Sequence, residues 1–125
     1  MTPSVHTISM EKPLPHARAL MLEHGIRHLP VLDGHKLVGL LSDRELARLE
    51  GFPLVDFKLV SVPDAMSDEP YVVAPDAPAV EVLGTMRDQR YGSAIVCEDS
   101  KVVGVFTTTD ALRVLAETLS SAAKG

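Results

Sequence analysis

Short apolar runs alternate with amphipathic stretches in an order that occurs twice along the chain. In each half, β-branched residues predict a short strand, and apolar residues at three-to-four spacing after prolines predict a helix with one buried face. Gly25 is a typical helix stop signal. The predicted elements of the first half are strands 5–9, 29–32 and 36–41 and helices 13–24 and 43–50. Those of the second half are strands 71–74, 94–97 and 101–106, a helix that begins at Pro78 and includes Val82, Leu83 and Met86, and a helix over 108–121.

The two halves align without a gap at an offset of 65 positions. The stretch from Gly39 to Glu45 corresponds to the stretch from Gly104 to Asp110, and each has a glycine, a hydroxyl residue and, three residues later, an acid. Apolar positions pair almost throughout, which indicates a true internal repeat. The identical pairs are Met1/Met66, Pro13/Pro78, Met21/Met86, Val31/Val96, Lys36/Lys101, Val38/Val103, Gly39/Gly104 and Arg48/Arg113.

This repeat predicts an α/β (α+β) fold of two β-α-β-β-α units related by a pseudo-two-fold axis. The expected boundaries are 1–50 for the first unit, 51–63 for a linker, 64–121 for the second unit and 122–125 for a frayed tail. Asp33-Gly34 predicts the hairpin turn of the first unit, and Asp99-Ser100 takes the same place in the second.

Charge and composition exclude several classes of protein. A net charge of −5 argues against broad nucleic-acid binding, which needs a basic face. No apolar stretch is long enough to span a membrane, and no signal peptide is recognisable, so we expect a cytoplasmic protein without membrane contact. The lone cysteine, Cys97, lies in an apolar run and is expected to be a small buried hydrophobic residue.

The repeated motifs Ser42–Glu45 and Thr107–Asp110 have two interpretations. A hydroxyl residue followed three positions later by an acid is typical of a capping box at a helix start. The same residues suit a ligand site, because a hydroxyl and free N–H groups at a helix N-terminus bind phosphate and a carboxylate accepts hydrogen bonds from ribose. Capping alone leaves the glycine that precedes each motif unexplained.

With these motifs the chain resembles the cystathionine-β-synthase (CBS) domain family. The matching residues are Arg27-His28-Leu29-Pro30-Val31, Asp33-Gly34 and Gly39 to Glu45, and then Gly92-Ser93-Ala94-Ile95-Val96 and Gly104 to Asp110. The resemblance implies a tandem CBS pair, or Bateman module, whose clefts bind AMP, ADP, ATP or S-adenosylmethionine. It also implies a homodimer and no required cofactor.

The resemblance places ligand-binding residues in two clefts. In the preferred site 2, Asp110 would hold the ribose, Thr107 and Thr109 would face ribose or phosphate, and Val72, Val73, Gly92, Ser93 and Ala94 would border the base. Glu45 replaces the usual Asp in site 1, and its extra methylene favours capping over ribose binding. The residues of site 1 are Thr7, Ile8, Arg27, His28, Ser42, Arg44 and Glu45.

These observations favour a regulatory module that senses an adenine nucleotide or adenosyl ligand and signals to an unidentified partner protein. No catalytic residues are assigned, because no nucleophile and base are paired, and no metal ligands are assigned, because the histidines fall in separate elements. A docking or dimerisation module without ligand sensing is the main alternative, and a small nucleotide hydrolase is a third.

Overall fold

The computed structural model describes residues 5–124, so residues 1–4 of the first predicted unit and Gly125 of the predicted tail lie outside the described residues. Both units have the predicted order β-α-β-β-α, and the predicted α+β class is confirmed. The elements are β1 Ile8–Ser9, α1 Leu14–His24, β2 His28–Asp33, β3 Lys36–Ser42, α2 Asp43–Glu50, α3 Val62–Ala65, β4 Val72–Val73, α4 Ala79–Gln89, β5 Ser93–Glu98, β6 Lys101–Thr107 and α5 Thr108–Lys124.

Each unit contributes one three-stranded sheet, in the orders β1-β2-β3 and β4-β5-β6. The first strand of each sheet runs parallel to the second, and the second and third form an antiparallel hairpin. The two hairpins have register shifts at equivalent positions, Val31/Leu32 and Val96/Cys97. The two units therefore share even the irregular positions of their sheets, again 65 residues apart.

Most helix ends follow the sequence signals. Gly25 ends α1 with a φ of 62°, a left-handed conformation that glycine adopts without steric cost, and its N–H donates to the Met21 carbonyl. In the second unit Arg90 takes this role after α4 with a φ of 60°. Helix α5 continues to Lys124, beyond the predicted end at Ser121 and through the residues predicted as a frayed tail.

The hairpin turns differ from the prediction in the first unit. Asp33 is the last residue of β2 and pairs with Lys36, so the turn consists of Gly34 and His35 rather than Asp33 and Gly34. Gly34 has the positive φ, 61°, that the turn requires. In the second unit Asp99 and Ser100 form the turn, as predicted.

The segment predicted as a linker is partly ordered against the first unit. It contains a 3₁₀ turn at Phe57–Leu59 and leads into α3, whose Val62 and Ala65 are buried in the first core. After α3, Leu40 and Ser67 exchange two backbone hydrogen bonds of 2.9 Å, which join the segment to β3. The core of this unit also contains Leu29, Val31, Leu41 and Leu46.

Candidate functional site

The main candidate site is a cavity of about 440 Å³ lined by both units, which we call the inter-repeat cleft. Its volume falls within the range of small-molecule sites, about 300–1,000 Å³. The first unit supplies Val5, His6, Gly25, Ile26, Arg27 and His28, and the second supplies Val105, Thr107, Thr108, Thr109, Asp110 and Arg113.

Asp110 forms a reciprocal capping box with Thr107 at the start of α5. The Thr107 hydroxyl accepts a hydrogen bond from the Asp110 N–H at 3.2 Å, and Asp110 Oδ2 accepts from the Thr107 N–H at 2.9 Å and from its hydroxyl at 3.1 Å. Asp110 Oδ1 has a single, long contact of 3.4 Å to Arg113 Nη1. Capping therefore occupies one carboxylate oxygen and leaves the other with spare acceptor capacity.

The equivalent motif of the first unit is only half a capping box. The Ser42 hydroxyl accepts from the Glu45 N–H at 3.2 Å, but the Glu45 carboxylate forms an ion pair with Arg48 along α2. The carboxylate caps α5 in the second unit, whereas the longer Glu45 side chain lies against its own helix. The expectation that the Glu45 carboxylate caps α2 is therefore wrong, because this carboxylate pairs with Arg48 and only the Glu45 N–H takes part in the cap.

The inter-repeat cleft carries positive charge from two arginines, Arg27 and Arg113, against the single carboxylate of Asp110. Burial, and then the charge of Arg27, lower the pKa of His28, which Asp43 only partly offsets. His28 is therefore neutral at pH 7 and offers one hydrogen-bond donor and one acceptor. Its Nε2 would lie 3.3 Å from a Cβ placed on Gly92, so the two units are in close contact here.

Residues from the two predicted sites come together in one cavity. Thr107, Thr109 and Asp110 of predicted site 2 line the inter-repeat cleft together with Arg27 and His28 of predicted site 1. The Thr107–Asp110 motif of the second unit therefore shares its cavity with residues of the first unit.

The other predicted residues lie elsewhere. Ser93 and Ala94 are buried in β5, Val73 packs against the second core, and Val72 lines a different cavity. In the first unit Ile8 is buried in the core and Ser42 caps α2. The remaining three, Thr7, Arg44 and Gly92, are not among the residues that line the inter-repeat cleft.

Several cleft residues were not predicted: Val5, His6, Gly25, Ile26, Val105, Thr108 and Arg113. Arg113 had a usable signal, because it lies one helical turn after Asp110. His6 had none. Its ring stacks on that of His24, with centroids 3.7 Å apart and planes 15° apart, although the two residues belong to separate elements.

The described part of the chain contains neither a candidate metal centre nor a candidate membrane-spanning helix. Residues 5–124 contain no group of three or more His, Cys, Asp or Glu side chains placed to hold a metal ion. None of the helices described has the length and apolar character needed to cross a bilayer.

Comparison with known proteins gives one consistent family. The model of the CBS domain matches residues 1–51 and 61–117. An inosine-5′-monophosphate dehydrogenase of Korarchaeum cryptofilum is 34% identical over 107 residues, which are 85% of this chain and 21% of the dehydrogenase. The chain thus spans about a fifth of that relative.

Two solved structures extend the comparison to the fold. A Vibrio cholerae protein assigned to acetoin utilization (AcuB) is 28% identical, with a TM-score of 0.82 over 100% of this chain and 93% of that one. The CBS domain pair of protein MJ0100, crystallised with 5′-methylthioadenosine and S-adenosyl-L-methionine, is 22% identical, with a TM-score of 0.83 over 94% and 93% of the two chains. The protein belongs to the CBS domain family and contains two CBS motifs in tandem.

Proposed function

We propose that this chain is a regulatory module that binds an adenosine-containing ligand, such as AMP, ADP, ATP or S-adenosylmethionine, in the inter-repeat cleft. Membership of a family that includes ligand-bound domain pairs supports a ligand-sensing role in general. The residues of the cleft support an adenosine derivative in particular. In this function the protein carries out no chemical step itself.

The spare acceptor on Asp110 is the observation that carries this function. Oδ2 is held by the capping box, so the carboxylate is fixed in orientation, while Oδ1 has only the 3.4 Å contact to Arg113. A carboxylate oxygen in this state can accept a hydrogen bond from a ribose hydroxyl without breaking the cap. The side chain is only 8% exposed, which strengthens such a charge-assisted bond.

The remaining lining residues suit the other parts of an adenosine ligand. Arg27 and Arg113 offer guanidinium groups that bind phosphate or carboxylate oxygens in a bidentate manner. Val5, Ile26 and Val105 provide apolar surface for a purine ring. With two cations and one anion, the cleft favours a ligand that presents an anionic group, such as a phosphate or the carboxylate of S-adenosylmethionine.

A ligand in this position would contact both units at once and would therefore favour one relative placement of the two. Such a ligand shifts the equilibrium only by the difference in its affinity for the two placements. We infer that the signal passes to a separate, still unidentified protein, and that the chain acts as a homodimer.

A docking or dimerisation module without ligand sensing is the second candidate, and one surface favours it. Helix α5 exposes Leu112, Leu115 and Leu119, which we call the α5 stripe, with 66%, 53% and 61% of these residues accessible. Spacings of three and four place them on one helix face. The free energy of unfolding of such a module would be the same with and without nucleotide. That of a sensor would rise by about 2.7 kcal/mol when the ligand concentration is 100 times its Kd.

The decisive experiment is isothermal titration calorimetry with AMP, ADP, ATP and S-adenosylmethionine. We expect one of them to bind, and we expect Asp110→Asn to weaken its binding about tenfold to a hundredfold, the value of one charge-assisted hydrogen bond. The matched control, Glu45→Gln, removes the same charge from a carboxylate outside the cleft and should leave affinity unchanged.

Circular dichroism on each variant verifies that the helices persist, because Asp110 also caps α5. Adenosine sensing is refuted if wild type binds none of the four ligands below about millimolar concentration. It is equally refuted if Asp110→Asn binds as tightly as wild type.

A further inference from the structure

A second cavity, of about 520 Å³, lies at the turns of the β2–β3 and β5–β6 hairpins, and we call it the hairpin-tip hollow. Lys101, at the start of β6, lines this hollow, and Thr107, at the end of β6, lines the inter-repeat cleft. At about 3.3 Å per residue, the strand places the two cavities roughly 20 Å apart. Both units line it, with His35, Lys36, Leu37, Val72, Cys97, Asp99, Ser100 and Lys101.

The charges of the hairpin-tip hollow are predominantly positive. Lys36 and Lys101 occupy equivalent positions in the two repeats and face the same hollow. Among the side chains that the structure describes, neither lysine forms an ion pair, although Asp33 and Glu98 are their strand partners. Asp99 is the one acidic residue in the lining.

The walls between these charged groups are apolar. Leu37 and Val72 line the hollow, and Val72 leaves 46% of its surface accessible. Cys97 completes this surface, and burial raises the pKa of its thiol, so the sulfur is uncharged. The hollow therefore combines an apolar wall with two unpaired ammonium groups.

The turn beside the hairpin-tip hollow is strained in the second unit only. Asp99 and Ser100 have φ values of 51° and 65°, in the left-handed region that favours glycine, whereas the first unit has Gly34 in its turn. Strained residues of this kind cluster at binding sites. Asp99 and Ser100 both line the cavity, so this turn supplies a carboxylate and a hydroxyl there, which glycine would not provide.

We propose that the hairpin-tip hollow is a binding site for a small organic anion with an apolar body. The carboxylate or sulfonate of such a ligand would lie between Lys36 and Lys101, and its ring or short chain would cover Leu37, Val72 and Cys97. This site is independent of the inter-repeat cleft and of any adenosine ligand bound there.

Cys97 is the sole cysteine of the chain and lines the hairpin-tip hollow, so its alkylation by iodoacetamide reports occupancy directly. The probe is 2-naphthoate, and the matched neutral probe is 2-naphthalenemethanol. We expect 2-naphthoate to slow alkylation at least fivefold and 2-naphthalenemethanol to have little effect. Added salt should reduce the protection, because exposed charges are screened.

The variant Lys36→Gln/Lys101→Gln should weaken protection by 2-naphthoate about tenfold. The control Lys12→Gln/Lys58→Gln makes the same charge change at exposed positions elsewhere and should protect as wild type does. Asp110→Asn should also retain protection, which separates this site from the inter-repeat cleft. Equal protection by the two probes, no protection by 2-naphthoate, or unchanged protection in Lys36→Gln/Lys101→Gln would each overturn the assignment.

Discussion

Gly39 is the position where a single added methyl group should damage the fold most clearly. Gly39 is buried in β3, and a Cβ there would lie 2.4 Å from Met66 Sδ and 2.7 Å from the Ser67 carbonyl oxygen. The flexible Met66 side chain can move. The Ser67 carbonyl cannot, because it accepts the Leu40 N–H at 2.9 Å and the Ser67 N–H donates back to Leu40.

The size of the effect follows from these contacts. Overpacking a core typically destabilises by about 1–3 kcal/mol. Displacing Ser67 weakens two backbone hydrogen bonds, each contributing about 0.5–1.5 kcal/mol. We therefore expect Gly39→Ala to lower the free energy of unfolding by about 2–4 kcal/mol, and Tm by roughly 10 °C for a domain of this size.

Urea denaturation followed by circular dichroism measures this difference directly. The matched control is Gly84→Ala in α4, where the nearest atom to an added Cβ is Arg87 Nη2 at 4.0 Å. Alanine should stabilise that helix by about 0.5–1 kcal/mol, the opposite sign. If Gly39→Ala unfolds within about 0.5 kcal/mol of wild type, the close contact with Ser67 does not restrict this position.

Two further predictions concern pH and the strained turn. The folded state lowers the pKa of His28, whereas the unfolded chain titrates at about 6.5, so acidification below that value should reduce the free energy of unfolding until the folded pKa is passed. His28→Gln should show a smaller loss between pH 7.5 and 5.5 in urea titrations, and an equal loss would contradict this origin. Replacing Asp99-Ser100 by Asn-Gly should raise the free energy of unfolding by about 1 kcal/mol in thermal denaturation, and no gain would mean that the turn is unstrained.

Local signals in the sequence were sufficient to predict the order of strands and helices in both units. Apolar periodicity and the Gly39/Gly104 correspondence predicted both units in the order observed. Gly25 marked the end of α1, because no other residue adopts its φ so readily. Arg90 could not be foreseen as the equivalent end of α4, since the sequence has no glycine at that position.

The composition of the inter-repeat cleft was only partly predictable. The motif Thr107–Asp110 was recognisable, because its spacing is local. Its neighbours Arg27 and His28 were assigned to the other site, since hydrophobic periodicity shows which face of a strand is buried but not which repeat covers it. The His6–His24 stack was missed for the same reason, as it joins the segment before β1 to the end of α1.

Because both repeats line the inter-repeat cleft, neither half determines its shape and charge alone. Arg27 and His28 of the first half line the same cavity as the Asp110 carboxylate of the second half, so a substitution in one half changes the surroundings of a side chain from the other. Glu45 lies outside that shared wall and pairs with Arg48 instead. A substitution at Glu45 therefore leaves the lining of the inter-repeat cleft unchanged, whereas one at Arg27 alters it.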